Sequence, residues 1–302
     1  MRAGKPAQQG WVMIYGILRS IAAAALVATL ALPIAARGES TTPTCDAPFS
    51  VIRFTSPLTR MAEELTSGKP ITIVAIGSSS TAGSGASSPA ASYPSRLAVE
   101  LSQRFPDRSI TVLNRGVGGE EVDDMLKRFD TDVIAAKPDL VLWQLGTNSV
   151  IRSDALNDYV AAIREGIAKI RTIGADIVLI DPQFAPKVIV MPEAARMVEL
   201  IASTAKRENT NRFPRFDMMR RWYDVDHMAF NTFVSPDGLH MNDWSYGCLA
   251  TALGVAISEA AQRPMLSAKA TAHMVRQVFV PAYAKVAENY PPDWKATFGS
   301  AG

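Results

Sequence analysis

Apolar residues along this chain gather into short runs, separated by longer stretches of helical spacing. Ile71-Thr-Ile-Val-Ala-Ile76 is the first run, and it stops at Gly77. Ile110–Asn114, Asp139–Leu145 and Ala175–Ile180 repeat the arrangement, each running into small or polar residues. Runs this short, rich in β-branched residues and closed by turn formers, predict buried strands. Apolar residues three and four apart predict helices over Ser95–Phe105, Glu120–Phe129, Thr131–Lys137, Asp154–Ile173 and Pro192–Arg207. Strands without polar alternation, interleaved with helices, imply a parallel sheet covered on both faces. The expected fold is therefore α/β: a three-layer α/β/α, flavodoxin-like domain with a central parallel sheet. Beyond Arg215 the pattern predicts helices over Met218–Asn231 and Trp244–Ala261, with a loop at Ser235–Asn242.

The N-terminal stretch is of a different kind. Arg2, Lys5 and Arg19 precede Ile21–Ala36, which carries no charge and ends in small residues. A basic start, an apolar middle and a small-residue end predict a secretory signal over residues 1–36. The uncharged run is shorter than the ~20 residues that span a bilayer, which favours cleavage over retention as an anchor. The expected location is periplasmic or secreted, with no stable membrane span after cleavage. Residues 37–263 are then read as one domain, and 264–302 as a C-terminal appendage with one helix.

Composition narrows the classes. Hydrophobic residues at 48% and charged residues at 20% are ordinary for a globular protein, which excludes wholesale disorder. The formal charge of +2 changes meaning once the signal is set aside, because the signal holds three of the 31 basic residues and none of the 29 acidic ones. No basic excess remains to hold a phosphate backbone, so no nucleic-acid partner is expected. Cys45 and Cys248 are the two cysteines. An oxidising compartment would permit a bridge between them; two unrelated thiols are the alternative.

In open parallel sheets, ligands bind outside the carboxyl ends of the strands. Here those ends deliver Gly77–Gly83, Asn114–Gly119 and Gly146–Ser149 in succession, all small, polar or Gly-rich. The chain has three histidines, His227, His240 and His273. His240 lies in Ser-Pro-Asp237-Gly-Leu-His240, where an acid three residues upstream on a turn can fold back to the imidazole. His227 is expected on a helix face, and His273 falls in the appendage. Asp224, Asp226 and His227 match no strong ligand spacing, so no metal is expected. Asp181-Pro-Gln183 ends the fourth run; Gln183 is either pocket-lining or part of a plain turn. Glu120 and Glu121 suit a helix start.

The four pieces together resemble the blocks of SGNH (GDSL-type) hydrolases, over about residues 70–260. Gly77-Ser-Ser79-Ser-Thr81-Ala-Gly83 is similar to the block Gly-Asp-Ser-x-Thr-x-Gly, with Ser79 at the nucleophile. Asn114–Gly119 supplies the second block, Gly-Thr-Asn148 the third, and Asp237-Gly-Leu-His240 the last. One position departs from the pattern: Ser78 stands where the family usually has Asp, leaving three consecutive serines. The resemblance implies acyl transfer through Ser79, with His240 as base, Asp237 as orienting acid, and an oxyanion hole from Ser79, Gly119 and Asn148. It implies no cofactor, and a small ester or acylated glycan as substrate. An acyltransferase acting on an envelope glycan, or a non-catalytic envelope-binding module, would use the same fold.

Overall fold

The computed structural model of the protein describes residues 44–45, 47–153, 156 and 158–268. The expected signal, His273 and the appendage beyond residue 268 lie outside the described residues.

Among the described residues five strands form one parallel sheet in the order β2-β1-β3-β4-β5. They are β1 (Ile71–Gly77), β2 (Ile110–Gly116), β3 (Leu140–Gln144), β4 (Asp176–Ile180) and β5 (Asn211–Phe213). This is the flavodoxin-like strand order, which reverses direction at the β1/β3 boundary and opens a crevice there. β1 and β3 are buried almost throughout, as central strands covered on both faces must be. The helices Thr59–Ser67, Tyr93–Arg104 and Asp243–Ala268 pack together in one layer, and Val122–Lys127, Tyr159–Arg171 and Ala194–Arg207 in the other. The core between them includes Trp143, Tyr93, Phe129, Phe213 and Trp222, all essentially buried. The three-layer expectation holds. Among the described residues no helix is long and apolar enough to cross a membrane.

Several boundaries move. The helix expected from Asp154 begins at Tyr159. The segment Glu120–Lys137 breaks into Val122–Lys127, Phe129–Asp132 and a 3-10 turn at Ile134–Ala136. The single helix expected over Met218–Asn231 is two, Arg215–Asp224 and Phe230–Phe233. His227 lies between them at φ +53°, so it is on no helix face. The last helix runs from Asp243 to Ala268, through Pro264, across the expected boundary at 264. β5 has no counterpart in the sequence reading. Its Asn-Arg-Phe carries a polar pair, and pairing with β4 rather than propensity makes it a strand.

Cys45 and Cys248 are bonded across a separation of 203 residues. The bridge ties the start of the domain to its last helix.

Candidate active site

β1 ends at Gly77 and the chain turns at once into the short helix Ser79–Ala82. Close packing makes this turn possible. A methyl group at Gly116 would lie 2.0 Å from the Ala82 nitrogen, so only glycine lets β2 sit against the turn. The Arg128 guanidinium donates to the Gly77 carbonyl at 3.3 Å and the Arg115 carbonyl at 2.9 Å, joining the ends of β1 and β2.

The three serines face three different partners. Ser78 donates to Gln144 Oε1 through its backbone N–H (2.9 Å) and its hydroxyl (3.0 Å). The Ser80 hydroxyl donates to Gln183 Oε1 at 3.2 Å. Ser79 Oγ alone of the three meets an imidazole, at 2.8 Å from His240 Nε2. Ser78 and Ser80 are buried, and Ser79 is half-buried at the rim of the crevice.

His240 sits on a turn that Asp237 organises. One Asp237 oxygen accepts from the backbone N–H of Leu239 (2.8 Å), that of His240 (2.9 Å) and the Ser235 hydroxyl (2.7 Å). The other lies 2.5 Å from His240 Nδ1. Burial by itself would raise the Asp237 pKa. The bonds from the His240 ring, the two amides and Ser235 outweigh it, and hold the carboxyl well below the ordinary aspartate range. A carboxylate that stays ionised fixes Nδ1 as a donor and leaves Nε2 to accept from Ser79.

The remaining expected site residues follow the neighbouring strands, Gly119 on the turn after β2 and Asn148 in the helix after β3. A methyl group at Gly118 would lie 3.9 Å from Ser79 Cβ, which places the β2 turn against the serine. Gly119 adopts φ +82°, a left-handed conformation natural to glycine. Asn148 opens the helix Thr147–Arg152 with Thr147, and its amide donates to the Glu120 carbonyl at 2.8 Å. The amide carries two hydrogens, so this bond orients the group and leaves the second N–H for another acceptor. Glu121 caps the helix Val122–Lys127, the helix-start role its sequence suggested, whereas Glu120 lies before the cap and pairs with Arg128.

Gln183 requires a correction. A pocket-lining residue faces solvent, but Gln183 is fully buried. Its Oε1 accepts from Ser80, Thr147 (2.9 Å) and Arg215 (3.0 Å), and its Nε2 donates to the Leu239 carbonyl at 3.1 Å. These inward partners hold it beneath the site. Sequence reasoning missed Gln144 and Arg215 altogether, since their contacts span dozens of residues and follow no motif. The Ser84–Ser92 segment is held along its length: Ser87 donates to Asp243, the Tyr246 hydroxyl donates to the Ser84 carbonyl, and Arg96 donates to the Ala91 carbonyl. Beside it a groove of about 600 Å³ is lined by Ser87, Asp237, Asn242 and Trp244 among others.

Residues 44–263 match the sequence model of the Non-GDSL lipase-like family. That description agrees with Ser78 in place of the aspartate expected of GDSL-type relatives, and refines the resemblance. An acetylxylan esterase from Geobacillus stearothermophilus is 30% identical over 114 residues, covering 32% of this chain and 52% of that protein. The chain therefore spans about half the length of the curated relative it matches. Among solved structures, a two-domain esterase active on acetylated mannans superposes with a TM-score of 0.60 at 19% identity, over 70% of this chain and 55% of that one. A catalytic mutant of an acetylxylan esterase from Geobacillus stearothermophilus gives a TM-score of 0.54 at 21% identity, over 63% of this chain and 95% of that one. At these identities the solved structures share the fold.

Proposed function

The chain belongs to the Non-GDSL lipase-like family, and from that premise we propose that it is a carboxylic ester hydrolase working through Ser79, with acetylated carbohydrate as its substrate class. The observation that carries the reading is the relay from Asp237 through His240 to Ser79, closed at 2.5 and 2.8 Å. His240 Nε2 takes the Ser79 proton as Oγ attacks the ester carbonyl, and Asp237 steadies the imidazolium. The charge on the carbonyl oxygen falls to the backbone N–H groups of Ser79 and Gly119 and the free N–H of the Asn148 amide. His240 then returns the proton to the leaving alcohol. Water, deprotonated by the same imidazole, cleaves the acyl-enzyme and regenerates Ser79.

The carbohydrate part rests on the relatives, which are esterases acting on acetylated xylan and mannans by description. The groove beside Asp237 supports it by placing Trp244 in its wall, since an aromatic face suits a sugar ring. Export is part of the same proposal, and the Cys45–Cys248 bridge suits an oxidising compartment.

The test is release of p-nitrophenol from its acetate ester, and of acetate from acetylated xylan and mannan, by the purified protein. Ser79→Ala is expected to lower kcat by roughly a thousandfold or more, because removing a triad member leaves only the oxyanion hole and binding. Wild-type turnover that persists in Ser79→Ala would remove the serine mechanism. Turnover of the aryl ester without either glycan would remove the carbohydrate assignment.

A further inference from the structure

Ser79, Asn148 and His240 reach the site from three separate loops, the first two opening at once into short helices, and the residue next to each of them is bonded to one buried side chain. Ser80 donates to Gln183 Oε1 at 3.2 Å, and Thr147 donates to the same oxygen at 2.9 Å. The Leu239 carbonyl accepts from Gln183 Nε2 at 3.1 Å. We propose that Gln183 is a positioning residue for the reaction, setting the distance between the serine loop, the Asn148 loop and the histidine loop from beneath. The proposal rests on the reading of Ser79 and His240 given above.

The orientation of the amide is fixed from both ends. Arg215 Nη2, which can only donate, lies 3.0 Å from one atom of the carboxamide, so that atom is the oxygen. The Leu239 carbonyl, which can only accept, lies at the other atom, so that atom is the nitrogen. Arg215 is itself fully buried and donates through Nε to the Asp181 carbonyl at 2.8 Å. Among the described residues no carboxylate lies within ion-pair distance of it, and Nη1 has no hydrogen-bond partner. A buried guanidinium with no carboxylate in direct contact is costly to keep, and the nearby Asp181 carboxylate offsets its burial only in part. Its cost makes sense if its task is to aim Gln183. A side chain with one fixed orientation, bonded to three loops, can hold those loops only in one spacing. A second amide completes the frame: Gln144 holds Ser78 through Oε1, and its Nε2 donates to Thr147 at 3.5 Å.

Two variants separate the bonds. Gln183→Glu keeps the shape and the acceptors toward Ser80, Thr147 and Arg215, loses the donor to Leu239, and adds a charge that Arg215 answers. Gln183→Met loses all four. Asn211→Ala is the control, because Asn211 is equally buried but its amide serves the chain near Ser56, holding the Ser56 N–H at 2.9 Å and the Ser56 carbonyl at 3.1 Å. Misplacing reacting groups by an ångström costs about a hundredfold in rate. Gln183→Met is expected to lose about that factor in kcat with KM little changed, and Gln183→Glu about tenfold. Asn211→Ala is expected to lower Tm while kcat stays within about threefold.

A second readout does not depend on turnover. The far-downfield proton resonance of the His240–Asp237 bond should move or broaden in both Gln183 variants and stay in place in Asn211→Ala. Gln183→Glu, the near-isosteric variant, decides the matter if Gln183→Met fails to fold. A Gln183→Glu protein with wild-type kcat and an unmoved resonance would overturn the proposal. So would an equal loss of kcat in Asn211→Ala at the same loss of Tm. A wild-type protein inert toward every ester would sink the functional reading, while the resonance comparison would still decide the role of Gln183.

Discussion

Asp139 and Asp176, at the amino ends of β3 and β4, hold their surroundings with carboxylates. Gln144 and Gln183, at and just beyond the carboxyl ends of the same two strands, do so with amides. Asp139 accepts from the Thr72 N–H at 2.9 Å and from Arg60 Nε at 3.0 Å, and Arg60 also pairs with Glu64 at 2.7 Å. Asp176 accepts from the Met61 N–H at 3.0 Å, in the first turn of the helix Thr59–Ser67. The amino end has cations and helix amides to answer a negative charge. On the proposed mechanism the carboxyl end has a hydroxyl that attacks a neutral ester carbonyl and leaves an anion on the carbonyl oxygen. A carboxylate beside it would oppose the charge that grows on the substrate oxygen, whereas an amide supplies the same acceptors without the charge. The difference teaches where to look for structure and where for chemistry. At β3 and β4 the amino ends are held by carboxylates and the ground beneath Ser79 by the two amides, while the Asp181 carboxylate at the same end of β4 pairs with Arg212. Asp237 is the carboxylate that the proposed relay admits, and it is bonded to His240.

If that division is right, damage to the scaffold should cost stability and damage to the site should cost rate. Replacing Cys45 and Cys248 together by alanine is the largest break in the scaffold. With 203 residues between the cysteines, chain entropy sets a ceiling of about 5 kcal/mol on the loss. Denaturant melts should show it, with kcat per folded molecule unchanged. Asn148→Ala breaks the other side. It should lower kcat by about a hundredfold, ~3 kcal/mol, with Tm little altered. An Asn148→Ala protein that loses Tm and keeps kcat would place that amide in the scaffold instead.

The strands β1 to β4 are legible because a buried parallel strand must be a run of apolar, β-branched residues. Ile71–Ile76 and Ala175–Ile180 can hardly be anything else. β5 is not legible, because Asn211-Arg-Phe213 becomes a strand by pairing and not by pattern. The residues of the proposed relay are legible in two ways: Asp237 and His240 are three apart, and Ser79 takes the nucleophile position through the resemblance to the block Gly-Asp-Ser-x-Thr-x-Gly. Gln144, Gln183 and Arg215 leave no such mark. Gln183 meets Ser80 across 103 residues and Leu239 across 56, and only the fold brings them together. A sequence shows whether a strand ends in an amide or a carboxylate, but not its partners. What it holds is a tertiary fact.

Smaller effects sharpen the same contrast. Asp139→Ala strands the Thr72 N–H and removes one of the carboxylates that hold Arg60, and should cost about 1–3 kcal/mol in denaturant melts without changing kcat. pH gives the finest distinction. Burial first of all raises Asp176 to about 6, against the bonds from the helix amides, which lower it. An acid raised in the fold contributes stability that is complete below about pH 4 and is lost as pH rises through about 6. Asp237 is depressed, so its contribution runs the other way, present above about pH 4 and lost on acidification below that. Asp176→Asn should therefore flatten the fall in Tm between pH 4 and 7, and leave the pH profile of kcat as it was.

The hydroxyl that attacks is the centre of the account, and chemical labelling reads it directly. The folded protein would be treated with a fluorophosphonate, digested, and the modified serine located by mass spectrometry. A single phosphonyl group on Ser79, absent when His240 is replaced by alanine, is the predicted result. Label on Ser78 or Ser80, or a protein that turns over esters yet stays unlabelled, would contradict it.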